Sequence, residues 1–157
     1  LIGTMQWEQD GFVVHQYLAR TYAEEASVIA HFLASCAGKK CLISFNGKSF
    51  DAPYIRMRAA AGLVSGTMPG AHLDLLHESR RRWKDYLPDC KLQTLERRLC
   101  GRTRRCDIPG SEIPRAYHDF VRTSNARQIV DILKHNHLDI VTMAELMVHL
   151  GGEETWT

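Results

Sequence analysis

Two short stretches carry side chains that could act together on one substrate. In "ISFNGKSFDAPYI", residues 43–55, a buried strand breaks at Asn46-Gly47, and Asp51 stands where a helix should begin. In "KHNHLDIVTMAEL", residues 134–146, His135 and Asp139 are four positions apart. On a helix this spacing puts both side chains on one face, with about 6 Å of rise between them. An imidazole, which changes charge near neutral pH, and a carboxylate can therefore meet one site together.

Each of these residues also has a simpler interpretation. Asp51 can cap its helix, because a carboxylate accepts the unpaired amide hydrogens of a first helical turn, and Ser49 could share that task. His135 and Asp139 can belong to an exposed polar turn, although the residues around them are mostly apolar. A zinc site is a weaker interpretation of this pair, since no cysteine or third histidine stands at ligand spacing.

The elements that must position these residues follow from hydrophobic spacing and from glycine and proline breaks. We expect the 41–45 strand to be covered on both faces, because its apolar run is continuous. Residues 62–70 and 101–114 should be mostly irregular. The sequence predicts strands over 1–7, 12–18, 41–45 and 71–75, and helices over 23–37, 51–61, 76–86, 92–99, 115–122 and 126–150.

This order of elements is an α/β pattern, and no repeat or linker divides it. Residues 1–150 are therefore expected to form one domain, followed by a tail over 151–157. In such folds reactive groups gather at the carboxyl ends of strands, because the loops there can carry chemistry while the sheet holds them. Asp51 lies just beyond such a strand end.

Composition agrees with one globular domain and adds a hint about partners. The chain has 157 residues, of which 45% are apolar and 24% charged, with a formal net charge of +2. The small net charge does not point to nucleic acid, but arginines crowd the middle third, at 80–82, 97–98 and 102–105. A basic face that binds phosphates is one interpretation, and ordinary surface charge is the other.

Five cysteines without a C-x-x-C pair predict reduced thiols and a cytoplasmic location. No stretch approaches the ~18 apolar residues of a membrane span. The chain starts at Leu1 and not at a methionine, and we therefore expect it to be processed, trimmed or excerpted from a longer sequence.

Several motifs together resemble those of the YprB-like branch of the ribonuclease H-like superfamily, related to the DEDD exonucleases. They keep their order along residues 1–150, and they are "FNGKSFDAP", "HLDLLHESRRRWKD", "LQTLERRL", "R-CDIPGSEIP" and "HNHLDIVTMAEL". The resemblance implies a mixed five-stranded sheet flanked by helices. It also implies metal-dependent cleavage of phosphodiester bonds, usually removing nucleotides from a 3' end. The expected partner is nucleic acid, either single-stranded or at a 3' end.

The resemblance assigns roles to particular residues. Asp51 and Asp139 would be catalytic residues that hold Mg²⁺ or Mn²⁺, hard ions that prefer carboxylate oxygens. His135 would take the proton of the attacking water. Asn46, Lys48 and Arg80 are candidates to bind the substrate. Trp83 could stack a base, although a core position is the better prediction.

One departure from the family bears on activity. Related exonucleases carry an Asp-x-Glu pair on a first, central strand, and no such pair precedes Asp51 here, so we expect that strand to be missing from this sequence. Three hypotheses remain: a nuclease whose first motif lies outside this sequence, a catalytically silent module that binds nucleic acid or a protein, and an unrelated α/β binding domain. Residues upstream of Leu1 would separate the first two hypotheses, and the ordered motifs disfavour the third.

Overall fold

The fold is known here from a computed structural model, which describes residues 1–105 and 107–152. A single 3-10 turn, Tyr22–Glu24, precedes the first α-helix. The strands are β1 Ile2–Glu8, β2 Gly11–Tyr17, β3 Cys41–Ser44 and β4 Ala71–Asp74. The helices are α1 Glu25–Ser35, α2 Asp51–Ala61, α3 Leu75–Trp83, α4 Leu92–Leu99, α5 Ile113–Thr123 and α6 Arg127–Gly151.

The predicted α/β class is confirmed, but the described strands form two separate sheets. β1 and β2 pair antiparallel as a hairpin, from Ile2 opposite Tyr17 to Glu8 opposite Gly11. β3 and β4 pair in parallel, with α2 in the connection between them. No bridge joins the two pairs within the described residues, so the sheet has an interruption between the hairpin and the parallel pair.

Three apolar clusters hold these elements together. The first lies between α1 and α2, around Phe32 and Ala59. The second surrounds Trp83, which is 2% exposed and packs with residues of α3, α4 and α6. The third joins α5 to the first turns of α6 around Ile129. Trp83 is therefore a core residue, as the better of its two predictions stated, and its ring is not available to stack a base.

The prediction that β3 is covered on both faces is wrong for the described chain. Leu42 packs against the first cluster, and Phe45, just after the strand, packs against the second. Cys41 and Ile43, however, are exposed, and 42% of Ile43 is accessible. The apolar run correctly indicates a strand, but no described element covers these two side chains.

Helix α6 packs directly on the hairpin, and the contact depends on a glycine. A Cβ atom at Gly3 would lie 2.1 Å from Asn136 Oδ1 and 2.4 Å from Ile140 Cδ1. Asn136 Oδ1 also accepts a hydrogen bond of 2.9 Å from Gln16 Nε2, which ties β2 to the same turn of α6. The glycine thus allows α6 to approach β1 where the polar turn of the helix begins.

We expect Gly3→Ala to lower the free energy of unfolding by about 1–3 kcal/mol, because the new methyl group forces Asn136 and Ile140 apart from β1. Urea denaturation of the two proteins measures the change. The matched control is Gly11→Ala in the same hairpin, since nothing lies within 4 Å of a Cβ at Gly11. Equal stability of the two variants would show that the contact does not constrain α6.

Four of the five cysteines lie among the described residues. Cys36, Cys41, Cys90 and Cys100 are all unpaired. Burial raises the pKa of Cys100 to about 12, with the neighbouring Glu145 adding to the shift. Among the described residues, no helix combines the length and the apolar character that crossing a membrane requires.

Candidate active site

A single cleft of about 2250 Å³ lies between β1 and β3 and collects most of the predicted site residues. Residues of α1 line one wall, and residues of α6 line another. Lys48 is exposed but does not belong to the lining. The predicted site residues that line the cleft are Asn46, Asp51, Arg80, His135 and Asp139.

The turn that leads from β3 to Asp51 is held by a buried carboxylate. Asp74, at the end of β4, is 1% exposed. Its oxygens accept hydrogen bonds from the backbone amides of Asn46 at 2.7 Å and Lys48 at 3.0 Å. It also caps α3 through the amide of Leu76 at 3.1 Å. The amides of Asn46 and Lys48 thus fix the turn, while their side chains are exposed.

Asp74 was missed by the sequence reasoning. Its sequence signal was an acidic residue at the end of a strand and directly before a helix, a position where aspartate often caps. That signal predicts the bond to Leu76, since the partner is local. The bonds to the turn of residues 46–48 join positions more than 25 apart, and only the parallel pairing of β3 with β4 brings them together.

Asp51 begins α2 but does not act as its cap. The N-cap position is Phe50, and no side-chain capping bond is made there. Asp51 is open to solvent in the cleft, yet the surrounding protein raises the pKa of its carboxyl group, mainly by withdrawing water from it. The charge of Asp74 adds to this rise, and His72 opposes it. The structure therefore disfavours the ionised form of Asp51, which is unusual for an aspartate with only a structural task.

His135 lies between two carboxylates. Its Nδ1 is 2.9 Å from both oxygens of Asp107, and its Nε2 is 3.4 Å from Asp139 Oδ2. Only 13% of the His135 side chain is exposed. When Nδ1–H donates to Asp107, Nε2 keeps its lone pair, which is the tautomer that a general base requires. Asp107 was not among the predicted residues, because it lies in the irregular segment, 28 positions from His135.

Asp139 is paired with an arginine that the sequence had suggested for a basic surface. Arg104 Nη2 donates to Asp139 Oδ1 at 2.8 Å, and the Arg104 side chain is 5% exposed. Arg104 also contacts Glu96 and Asp107. Glu96, whose side chain is 2% exposed, binds Arg102 through its other oxygen. Arg104 and Glu96 thus form a buried ion network behind the cleft.

The predicted basic face is therefore only partly present. Arg102 and Arg104 turn inward to the network, and Arg82 donates to the carbonyl oxygens of Leu150 and Gly152. Arg80 is exposed and lines the cleft. Arg97, Arg98 and Arg105 are also exposed, but they are not part of the lining.

The described side chains do not form a complete metal centre. Within residues 1–105 and 107–152, no group of three or more His, Cys, Asp or Glu side chains is placed to hold a metal ion. Mg²⁺ requires near-octahedral coordination by oxygen, and Asp51 and Asp139 alone supply two carboxylates. One of these, Asp139, already has a cation as its partner in Arg104. The described residues thus do not fit Mg²⁺ or Mn²⁺ unaided.

Comparison with known proteins decides the family. Residues 1–151 match the RNase_H superfamily. The chain belongs to the RNase_H superfamily. It is also similar to the "Uncharacterized protein YprB" of Bacillus subtilis (strain 168), with 29% identity over 155 residues. That similarity covers 96% of this chain and 37% of the relative, so the chain spans well under half of that protein. No solved structure matches the chain.

Membership of the RNase_H superfamily confirms the predicted relationship and removes the hypothesis of an unrelated α/β binding domain. It supports a function that acts on or binds nucleic acid. The similar Bacillus protein carries no named activity, so its name adds no substrate. The roles of Asp51, His135 and Asp139 stay predictions, and the cleft gives them a common location.

Proposed function

We propose that this chain is the nuclease domain of a metal-dependent 3'-5' exonuclease that acts on single-stranded nucleic acid. The observation that carries the proposal is the shared location of Asp51, His135 and Asp139 in one cleft of an RNase_H superfamily domain. They come from two helices, α2 and α6, and Asp51 is 84 positions from His135 in the chain. If Asp51 only capped a helix and His135 and Asp139 only formed an exposed turn, we would not expect all three to line the same cleft.

Each of these residues has a chemical task that its surroundings support. His135, oriented by Asp107, takes the proton of the water that attacks the phosphorus. Arg80 faces the cleft with a charge suited to a backbone phosphate, and Asn46 offers an amide to a sugar or phosphate. Burial lowers the pKa of His72, and the charge of Lys48, which lies outside the lining, adds to this lowering, so that charge reaches this end of the cleft.

Metal dependence is part of the proposal, with Asp51 and Asp139 as the two ligands that this chain contributes. Because two carboxylates do not complete a Mg²⁺ or Mn²⁺ site, further ligands must come from outside the described residues. We therefore expect the 157-residue chain by itself to bind either ion weakly and to cut little or nothing.

A second candidate function is a silent module that binds nucleic acid or a protein without cutting. The observation that favours it is the ion pair between Arg104 and Asp139. Arg104 supplies Asp139 with a positive charge and a hydrogen bond, so this carboxylate does not require a metal ion for its stability. The two candidates differ in one measurable respect, which is cleavage.

The test is digestion of single-stranded DNA and RNA by the full-length gene product, with the label at either the 3' or the 5' end. We expect shortening from the 3' end with Mg²⁺ or Mn²⁺ and none with a chelator. Cleavage that survives the chelator contradicts the metal mechanism. Binding without cleavage under all conditions favours the silent module.

Binding is measured in the same samples over a range of salt concentrations. Contacts between Arg80 and phosphates release counterions, so the affinity should fall linearly on logarithmic axes as salt rises. Arg80→Ala should reduce the slope by about one, whereas Arg97→Ala, an exposed arginine outside the cleft, should reduce it much less. An affinity that does not depend on salt contradicts recognition of the phosphate backbone.

A further inference from the structure

Three aromatic rings that have no part in the proposed reaction meet at the rim of the cleft. Tyr22 lies in the 3-10 turn after the hairpin, and Tyr117 and His118 lie on α5. All three line the cleft. The ring centroids of Tyr22 and His118 are 5.9 Å apart, and each is 6.2 Å from the centroid of Tyr117. These are the distances of interacting aromatic pairs, so the three rings form one cluster.

Hydrogen bonds of the rings' own polar atoms hold this cluster in place. Tyr22 Oη and His118 Nδ1 share a hydrogen bond of 2.6 Å, although the two residues are 96 positions apart. Tyr117 Oη donates to the carbonyl oxygen of Ala19 at 3.0 Å. Tyr117 also packs on the third apolar cluster, which joins α5 to α6. The rings are thus fixed to the helix that carries His135.

The cluster presents ring surface, rather than polar or charged groups, to the cleft. Tyr22 is 59% exposed, and His118 is exposed as well. The hydroxyl groups of both tyrosines are already hydrogen-bonded within the protein. The charge of Arg20, two positions before Tyr22, is compensated by Glu24, which accepts hydrogen bonds from Nε and Nη2. A flat, uncharged ligand therefore suits this rim better than a phosphate group does.

We propose that the exposed rings of Tyr22 and His118 stack a nucleobase of the strand that enters the cleft. The inference rests on the proposed binding of single-stranded nucleic acid and deepens it, since Arg80 would contact a phosphate and the rings a base. Every base has a π face, so stacking tolerates all sequences. The pair would hold the strand without selecting its sequence.

The alternative is a purely structural role, in which the Tyr22–His118 hydrogen bond only ties the 3-10 turn to α5. That role depends on the hydroxyl group of Tyr22, whereas stacking depends on the ring. Replacing Tyr22 by phenylalanine removes the hydroxyl group alone, and replacing it by alanine removes both. The two variants therefore separate the two roles.

The test is binding of the full-length gene product to a fluorescent single strand of about twelve nucleotides, with a chelator present to prevent cleavage. Tyr22→Ala should weaken binding by about 5- to 150-fold, the usual loss when a stacked base loses its aromatic partner. Tyr22→Phe keeps the ring and should bind within about threefold of the native protein. The control is Tyr86→Ala, which replaces a tyrosine that is 73% exposed outside the cleft lining and should leave binding unchanged.

Strands that lack a single base locate the contact. Removing the base that stacks on Tyr22 should weaken binding of the native protein by the same factor, while the phosphate charge of the strand stays the same. Tyr22→Ala should bind this abasic strand as tightly as the complete strand. Such coupling between one ring and one base identifies them as partners. Circular dichroism checks that the variants are folded.

Three results would overturn the inference. They are native affinity of Tyr22→Ala, an equal loss of affinity in Tyr22→Phe and Tyr22→Ala, and equal binding of complete and abasic strands by the native protein. Any of these together with normal cleavage leaves the proposed nuclease function intact. A native protein that binds no oligonucleotide contradicts both proposals, whereas stacking without cleavage supports this inference and favours the silent module.

Discussion

Replacing Glu96 with glutamine should lower the free energy of unfolding by up to about 3–5 kcal/mol, the loss for a fully broken buried ion pair, while Arg104 keeps Asp107 and Asp139 and Arg102 keeps Glu145 as partners. One carboxylate oxygen accepts from Arg102 Nε and the other from Arg104 Nε, both at 2.6 Å. Glutamine would turn an NH₂ group toward one of these guanidinium groups, so a donor would face a donor. Burial at 2% side-chain exposure leaves little water to compensate.

The control is Glu78→Gln, which breaks the ion pair of Glu78 with Arg81 on the exposed side of α3. Both side chains of that pair are more accessible, at 25% and 78%, and such surface pairs contribute about 0–1 kcal/mol. Urea denaturation of the two variants gives the comparison. If both variants lose less than about 1 kcal/mol, the network behind the cleft does not stabilise the fold, and Arg104 is not fixed by it.

The elements of this fold were predictable because their signals are local. The polar turn of residues 8–11 between two apolar segments indicated the hairpin. Helical spacing of apolar residues indicated α1, and a long apolar stretch indicated α6. Helix α2 was predicted over the same residues, 51–61, that it occupies. The observed ends of the elements differ from the predicted ends by one to a few residues. Helix α5, for example, was expected over 115–122 and begins at Ile113.

The side-chain network was not predictable, because its partners are remote in sequence. Arg104 and Asp139 are 35 positions apart, and Asp107 and His135 are 28 apart. A run of arginines looks the same whether it faces solvent or a buried glutamate, so the sequence suggested a surface for residues that turn inward. Nothing in the sequence indicated that Glu96 is buried, since a glutamate in an amphipathic helix is usually exposed.

The error for β3 has a different physical origin. Its apolar run correctly predicted a strand, and it also predicted cover on both faces. A sequence pattern reports what a strand requires, whereas cover depends on which neighbours are present. Ile43 meets open space because no described element packs on that side of the strand.

Asp51→Asn is expected to reduce cleavage by the full-length gene product by three orders of magnitude or more, while the stability of the fold is unchanged or increases. Activity falls because the neutral amide of asparagine is a much poorer ligand for Mg²⁺ or Mn²⁺ than a carboxylate. Stability does not fall because the folded protein raises the pKa of Asp51, chiefly by withdrawing water from its carboxyl group. A raised pKa means that the ionised form is less favourable in the folded than in the unfolded state.

The effect of Asp51 ionisation on the free energy of unfolding depends on pH. At neutral pH the ionised Asp51 opposes folding, and this opposition disappears as the pH falls through the raised pKa. Asparagine never ionises, so it removes the penalty at neutral pH, together with the repulsion from Asp74. The stability difference between the variant and the native protein should therefore favour the variant at pH 7 and shrink toward acid pH. Urea denaturation at several pH values measures it.

Two further variants complete the comparison. Asp131→Asn, on α6 but outside the cleft, should leave cleavage unchanged. His135→Ala should slow cleavage by about 10²–10⁴ with much less effect on metal affinity, as loss of a general base does. Replacing an aspartate that has only a structural role would lower the stability of the fold and leave cleavage unchanged. This is the opposite of the result that we expect for Asp51. If Asp51→Asn destabilises the protein and the remaining folded fraction cuts normally, Asp51 is a structural residue and the cleft is not a nuclease site.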